Sequence, residues 1–213
     1  MWQLKSGNSR AGLGQASLCI ALLLSPLAIA DISLPKLISD GMVLQRDSAI
    51  TLWGWAAEDE TVEVRFNGKA VGQAKPANGR WQLKLAAQPA GGPYQLSFHG
   101  HNQITLQDIY FGDVWVASGQ SNMELEMARV AEAYPEDLTS ANYPLIRQFK
   151  VPQEYNFKAP QQDFSAGAWV SASPQSIANF SAVAFYFGRD LFRHNGVPVG
   201  ILNNALGGSP VEA

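Results

Sequence analysis

The sequence predicts an α/β protein with an N-terminal all-β domain: a small β-sandwich over residues 31–108, then a parallel-sheet domain over residues 109–213. Three observations predict it. Between Val62 and Leu106 apolar and polar residues alternate, the period of a half-buried strand, and Asn-Gly pairs punctuate the runs. From Tyr110 onward, short apolar runs are separated by helical patterns, the order that builds a parallel sheet. A hydrophobic content of 46% with 15% charged residues excludes a disordered, collagen-like or coiled-coil chain. The 213 residues suffice for one or two domains with a sizeable core.

Residues 1–30 read as a secretory leader. Lys5 and Arg10 make a positive start, Leu18 to Leu27 is apolar, and Ala28-Ile29-Ala30 has the small-residue pattern of a cleavage site. The apolar stretch falls short of the roughly 20 residues of a membrane span. Removing it would also remove Cys19, the single cysteine. The remainder could then form no disulfide and use no thiol chemistry. Export is expected, to the periplasm or the exterior, with no membrane attachment after cleavage. A net charge of −3 without clustered Lys or Arg argues against nucleic acid as a partner.

The elements follow in order. Val62, Val64 and Phe66 alternate before the turn Asn67-Gly68. Trp81, Leu83 and Leu85 alternate after Asn78-Gly79, and Tyr94, Leu96 and Phe98 after Gly91-Gly92-Pro93, with Ile104 and Leu106 continuing the period. Asp113-Val-Trp-Val-Ala117 predicts a buried parallel strand, Ser121 to Val130 a helix, and Ile146 to Val151 another strand. Residues 152–178, rich in Pro, Gln and Ser, read as a long irregular connection. Ser181 to His194 predicts a helix with Val183, Ala184, Phe187 and Leu191 on one face and Gly196 past its end, followed by a strand over Val199 to Asn203.

Two Ser-Gly corners carry the chemistry. In Ala117-Ser-Gly-Gln-Ser-Asn-Met-Glu124, Ser121 lies where a strand gives way to a helix, the usual ligand position in open α/β sheets. Backbone N–H groups there would favour an oxyanion. The same residues match the capping box S-x-x-E, in which Ser121 merely caps the helix. Spacing alone leaves both roles open. Met123 stands where a G-x-S-x-G elbow needs glycine, which argues against an ordinary α/β-hydrolase. In the second corner, Gly207 and Gly208 allow a sharp turn that aims N–H groups at a ligand. Ser209, Pro210 and Glu212 then signal a helix start three residues before the chain stops at Ala213, which suggests a fragment.

The two corners, in this order and after a β-domain, resemble the sialate O-acetylesterase family of the SGNH-hydrolase superfamily. Further markers are Leu34-Pro-Lys-Leu-Ile-Ser-Asp-Gly-Met-Val-Leu-Gln45, Gly112-Asp-Val-Trp115, Asn179-Phe-Ser-Ala-Val-Ala184 and Leu206-Gly-Gly-Ser-Pro-Val-Glu-Ala213. The resemblance implies that the parallel sheet is the first part of an SGNH hydrolase domain. It implies that Ser121 attacks the acetyl carbonyl of an O-acetylated sugar, and that water then releases acetate from the acetyl-enzyme. The Ser121 N–H and the Gly207-Gly208 turn would hold the oxyanion, Gly208 in preference. No metal or organic cofactor is implied.

The family's later D-x-x-H segment, with its general base, and its further oxyanion Asn do not occur in these residues. His194, four residues after Asp190, reads as a helix-end contact. His99 and His101 read as a surface pair rather than a metal site. Little or no esterase activity is therefore expected of this chain alone. Trp53 and Trp55 alternate along a strand and read as core packing in preference to sugar binding. Two other functions fit the same residues: an acetylxylan or other polysaccharide esterase, and a non-catalytic glycan-binding module.

Overall fold

Alternation, strict in residues 80–85, shapes the first half of the computed structural model, which describes Met1 and residues 31–208. The leader and the helix signals at Ser209, Pro210 and Glu212 lie outside the described residues. Strands β1 (Val43–Gln45), β2 (Ile50–Trp55), β3 (Val62–Phe66), β4 (Lys69–Ala74), β5 (Arg80–Leu85) and β6 (Gly91–His99) lead into β7 (Gln103–Gly119). In β5, Trp81, Leu83 and Leu85 point inward while Arg80, Gln82 and Lys84 point to water. Asn67-Gly68 and Asn78-Gly79 all have positive φ, the conformation that twists a two-residue turn to match its strands. The glycine pair before Pro93 is not a separator. It opens β6, where Gly91 pairs with Phe111.

Two sheets enclose this core. The two-stranded β2–β5 sheet contributes Leu52, Trp81, Leu83 and Leu85. Facing residues Val62, Val64, Leu96, Phe98, Ile109 and Phe111 come from the large sheet. Fully burying side chains of this size is worth about 1.5–3 kcal/mol each.

The large sheet does not end with this core. It has eight strands in the order β4-β3-β6-β7-β10-β8-β9, with β1 also pairing to β7. Its later members are β8 (Tyr143–Lys150), β9 (Trp169–Ala172) and β10 (Val199–Ala205). The strand β7, 17 residues long, runs through residues 108 and 109. Its first part pairs antiparallel with β6, residues 110–112 pair parallel with β1, and residues 113–119 pair parallel with β10. Strands β7, β10 and β8 form the expected parallel set, but β9 adds antiparallel, so the sheet is mixed. The architecture is mixed α/β.

Helix α4 (Ala182–Asn195) packs on β8 and β10, and α1 (Ser121–Glu124) on β7 and β10; α2 (Met127–Val130) and α3 (Pro135–Thr139) lie between them in the chain. Helix α4 starts as its sequence dictates: Ser181 Oγ accepts the Ala184 N–H, and Gly196 closes the helix in the left-handed conformation at φ 66°. Its buried face is Ala182, Ala184, Phe185 and Gly188, not the expected stripe, since Val183 and Phe187 are exposed. The reason is Gly188, whose missing side chain lets the helix settle on Ile201, Val199 and Ile146 along a rotated line.

Three further expectations are corrected. The helix over Ser121 to Val130 is broken at Leu125, because this backbone pairs with the entry to α4: Ala182 N–H donates to Leu125 O and Met127 N–H to Phe180 O. The Asp113–Ala117 segment is not buried throughout; Trp115 is 46% and Val116 65% exposed, since β10 covers one edge of it only. The connection 152–178 contains β9 and runs into a 3₁₀ turn, Ile177–Asn179.

At the seam, Gly112 lies so close to the 197–199 backbone that a Cβ would fall 1.9 Å from Pro198 O. Gly112→Ala should therefore lower stability by about 3 kcal/mol, measured as a shift of the urea midpoint. An unshifted midpoint would show that the backbone yields there.

Candidate functional site

Parallel pairing of β7 and β10 brings the two Ser-Gly corners together. The strands end in register, Ala205 opposite Gly119, and the Leu206 N–H donates to Gly119 O at 3.0 Å. Ser121 follows the end of β7, and Gly207-Gly208 follows the end of β10. A Cβ placed on Gly207 would lie 3.8 Å from the Ser121 Cα. Gly208 has φ 78°, a conformation that glycine adopts without strain, and is exposed. Ser121 is exposed as well. Among the described residues, none hydrogen-bonds the Ser121 hydroxyl or the Gly208 N–H.

The capping box is not formed. Gln120 occupies the N-cap position without a side-chain cap bond, and Ser121 is the first helical residue. The Glu124 carboxylate turns away from the helix start. Its Oε2 accepts the Gly207 N–H at 2.5 Å, and its Oε1 accepts Gln153 Nε2 at 2.6 Å. Gln153 Nε2 also donates to Ala205 O at 3.1 Å. The Gln153 and Gly207 hydrogen bonds, in that order, hold the Glu124 carboxyl below its ordinary value against the opposing effect of burial. A carboxylate with a lowered pKa stabilises the fold above its unfolded-state value, so these ties hold at neutral pH and loosen only as the pH falls through the lowered value. With four residues, α1 is one turn, too short for much of a macrodipole.

Buried polar groups fix the ground under Ser121. Ser181 Oγ donates to Met123 O at 2.6 Å, tying the end of α1 to the start of α4. Gln148 Oε1 accepts the Ser181 N–H at 3.1 Å and Asn203 Nδ2 at 3.3 Å. Lys150 reaches Glu126 at 2.7 Å. Sequence reasoning missed Gln148, Gln153 and Asn203, and weighed Glu124 only as a partner in a capping box with Ser121.

The three histidines are accounted for elsewhere. His194 sits in the last turn of α4, whose next residue, Asn195, reaches Asp113 at the start of the β7–β10 pairing. That is the opposite end of the parallel strands from Ser121. His99 Nε2 meets Ser97 Oγ at 2.9 Å, and His101 lies 3.7 Å from Glu60, beside the β6–β7 turn. Trp53 and Trp55 meet edge to face at 5.2 Å, and the Arg80 guanidinium lies 4.0 Å over the Trp53 ring. Both Trp are half-buried. In the loop that begins at Gln153, Tyr155 is 70% and Phe157 92% exposed, and their rings stack at 5.9 Å.

Among the described residues, no group of three or more His, Cys, Asp or Glu could hold a metal ion, and no helix is long and apolar enough to cross a membrane.

No family profile matches the chain. Curated relatives do. The chain is 30% identical over 193 residues to a sialate O-acetylesterase of Rattus norvegicus, and 28% identical over 195 residues to that of Homo sapiens. The alignments take in 82% and 83% of this chain, but 36% and 37% of those proteins. The chain thus spans little more than a third of the relatives it matches. Among solved structures, a carbohydrate acetylesterase from Xanthomonas citri superposes with a TM-score of 0.80 at 40% identity, over 85% of this chain and 42% of that one.

Proposed function

We propose that this chain, which belongs to the sialate O-acetylesterase family, carries the nucleophile and oxyanion part of a carbohydrate O-acetylesterase. Ser121 is the nucleophile that takes the acetyl group from an O-acetylated sugar, sialate-type in the first place, and water then releases acetate. The Ser121 and Gly208 N–H groups receive the oxyanion. One observation carries the reading: Ser121 and the glycine turn, 86 positions apart from Ser121 to Gly207, meet at the ends of adjacent parallel strands. The preference for Gly208 is supported by the Gly207 N–H being taken by Glu124.

None of the chain's three histidines lies at Ser121 to accept its proton. An unactivated serine is a weak nucleophile, so residues 1–213 alone turn over little ester. Residues 31–108 form the sandwich unit and 109–213 part of the hydrolase unit, exported behind the 1–30 leader. The partner is an O-acetylated carbohydrate. Exposed rings of Tyr155 and Phe157, in the loop rooted at Gln153, support a sugar-facing role, since flat apolar rings stack on the C–H face of a pyranose.

The test needs no turnover. An O-acetylated sialic acid and an acetylated xylo-oligosaccharide are compared as protectants of Ser121 against a fluorophosphonate. Protection by the sugar esters, but not by ethyl acetate at equal concentration, is expected. Tyr155→Ala with Phe157→Ala should weaken protection by about tenfold, the scale of one or two lost ring contacts. Equal protection by ethyl acetate would remove the sugar specificity, and stronger protection by the xylan ester would reassign the substrate.

A further inference from the structure

We propose that Glu124 is a positioning residue of the Ser121 site: by taking up the Gly207 N–H it fixes the glycine turn against Ser121 and leaves the Gly208 N–H, which no described residue takes up, as the turn's donor. The inference rests on the acyl-transfer reading of Ser121.

The geometry is specific. Each oxygen of Glu124 has its own donor, the Gly207 N–H at 2.5 Å and Gln153 Nε2 at 2.6 Å. Gln153 continues to Ala205 O, so the carboxylate links the turn after β7, the root of the 153–157 loop and the end of β10. Gly207 is required for this contact by space rather than by backbone conformation. A Cβ there would fall 2.2 Å from Glu124 Oε2, whereas Gly208 has open space where its Cβ would be. The two glycines therefore do different work: the first admits the carboxylate, the second turns the chain at φ 78°. A simple helix cap does not account for this, since neither carboxylate oxygen returns to the N-terminus of α1.

A carboxylate beside a developing oxyanion is unfavourable by Coulomb's law. Two charge-assisted hydrogen bonds disperse that charge. The net effect is read from kinetics. Fluorophosphonate labelling of Ser121 separates a binding constant from a maximal rate. Glu124→Ala should lower the maximal rate by about ten- to a hundredfold, with the binding constant within about twofold, because a misplaced oxyanion donor acts in the transition state. Glu124→Gln keeps an acceptor for the Gly207 N–H and should stay within about threefold of the wild type. Gly207→Ala, with Glu124 intact, should reproduce the loss by displacing the carboxylate. It also serves if Glu124→Ala does not fold. Independently of any chemistry at Ser121, the Gly207 amide proton should resonate downfield and lose that shift in Glu124→Gln less than in Glu124→Ala.

Unchanged labelling in Glu124→Ala, or equal losses in the Gln and Ala variants, would overturn the proposal. A Gly207 amide insensitive to Glu124 would overturn it too. Labelling of another serine in preference to Ser121 would instead remove the acyl-transfer reading, and where no serine labels the amide measurement alone judges the clamp.

Discussion

Ser121→Ala should abolish the slow acetyl adduct that p-nitrophenyl acetate leaves on the chain, bringing acetyl transfer to the background of the uncatalysed reaction. The activated ester suits a chain without a histidine at its serine, because its reactive carbonyl accepts a weak nucleophile and p-nitrophenolate leaves without being protonated. The expected mark of the wild type is slow formation of one acetyl adduct with little turnover. The fold should be untouched, as Ser121 is exposed and its hydroxyl bonds none of the described residues. An unchanged melting temperature together with a lost adduct is therefore the predicted pair of results. A retained adduct in Ser121→Ala would transfer the role to a neighbour, with Ser118 the nearest serine along the chain.

The largest stability effect is expected at Arg147. Its guanidinium, nearly buried, joins the two halves of the fold. Nη1 donates to Gly41 O at 2.8 Å and Asp108 O at 2.9 Å, and Nε to Pro144 O at 3.1 Å. Nη2 pairs with Asp108 at 2.9 Å, and the plane lies 4.4 Å from the Tyr110 ring. Asp108 is half exposed, so solvent screens the ion pair, and the carbonyl bonds matter more. Removing the side chain leaves three backbone acceptors short of a donor, which costs roughly 3–5 kcal/mol. Arg147→Ala should lower the urea midpoint accordingly. Arg147→Lys should recover less than half of the loss, since an ammonium cannot fill the same fork. Full recovery by lysine would mean that charge alone holds the seam.

Much of the fold was legible because it follows from short-range rules. Alternation in Trp81–Leu85, the Asn-Gly turns, and the Ser181 cap with its Gly196 stop all act within a few residues, and the structure has them. What sequence reasoning lost depends on partners distant in the chain. Nothing in Asp113–Ala117 says that only β10 pairs with it, so its exposed residues read as buried. Nothing in Ser121–Val130 shows that the segment before α4 will interrupt it at Leu125. The 17-residue strand is likewise invisible, because its partners change from β6 to β1 to β10 along its length.

At the site, the corners were legible as corners, and their meeting follows from parallel strands ending in register. Glu124 is ambiguous in the sequence because S-x-x-E is a local pattern, while its partner, Gly207, lies 83 residues on. The signal that could have separated the two is the glycine pair itself. One glycine suffices for a turn, and a second implies that something approaches the backbone closely.

The most direct measurement is peptide mapping of the fluorophosphonate adduct on the intact chain. A single modified site at Ser121, lost when Gly208 is made bulky, is the predicted result. Modification of another serine in preference to Ser121, or none after prolonged exposure at alkaline pH where hydroxide stands in for a general base, would contradict the assignment of the two corners to one acyl-transfer site.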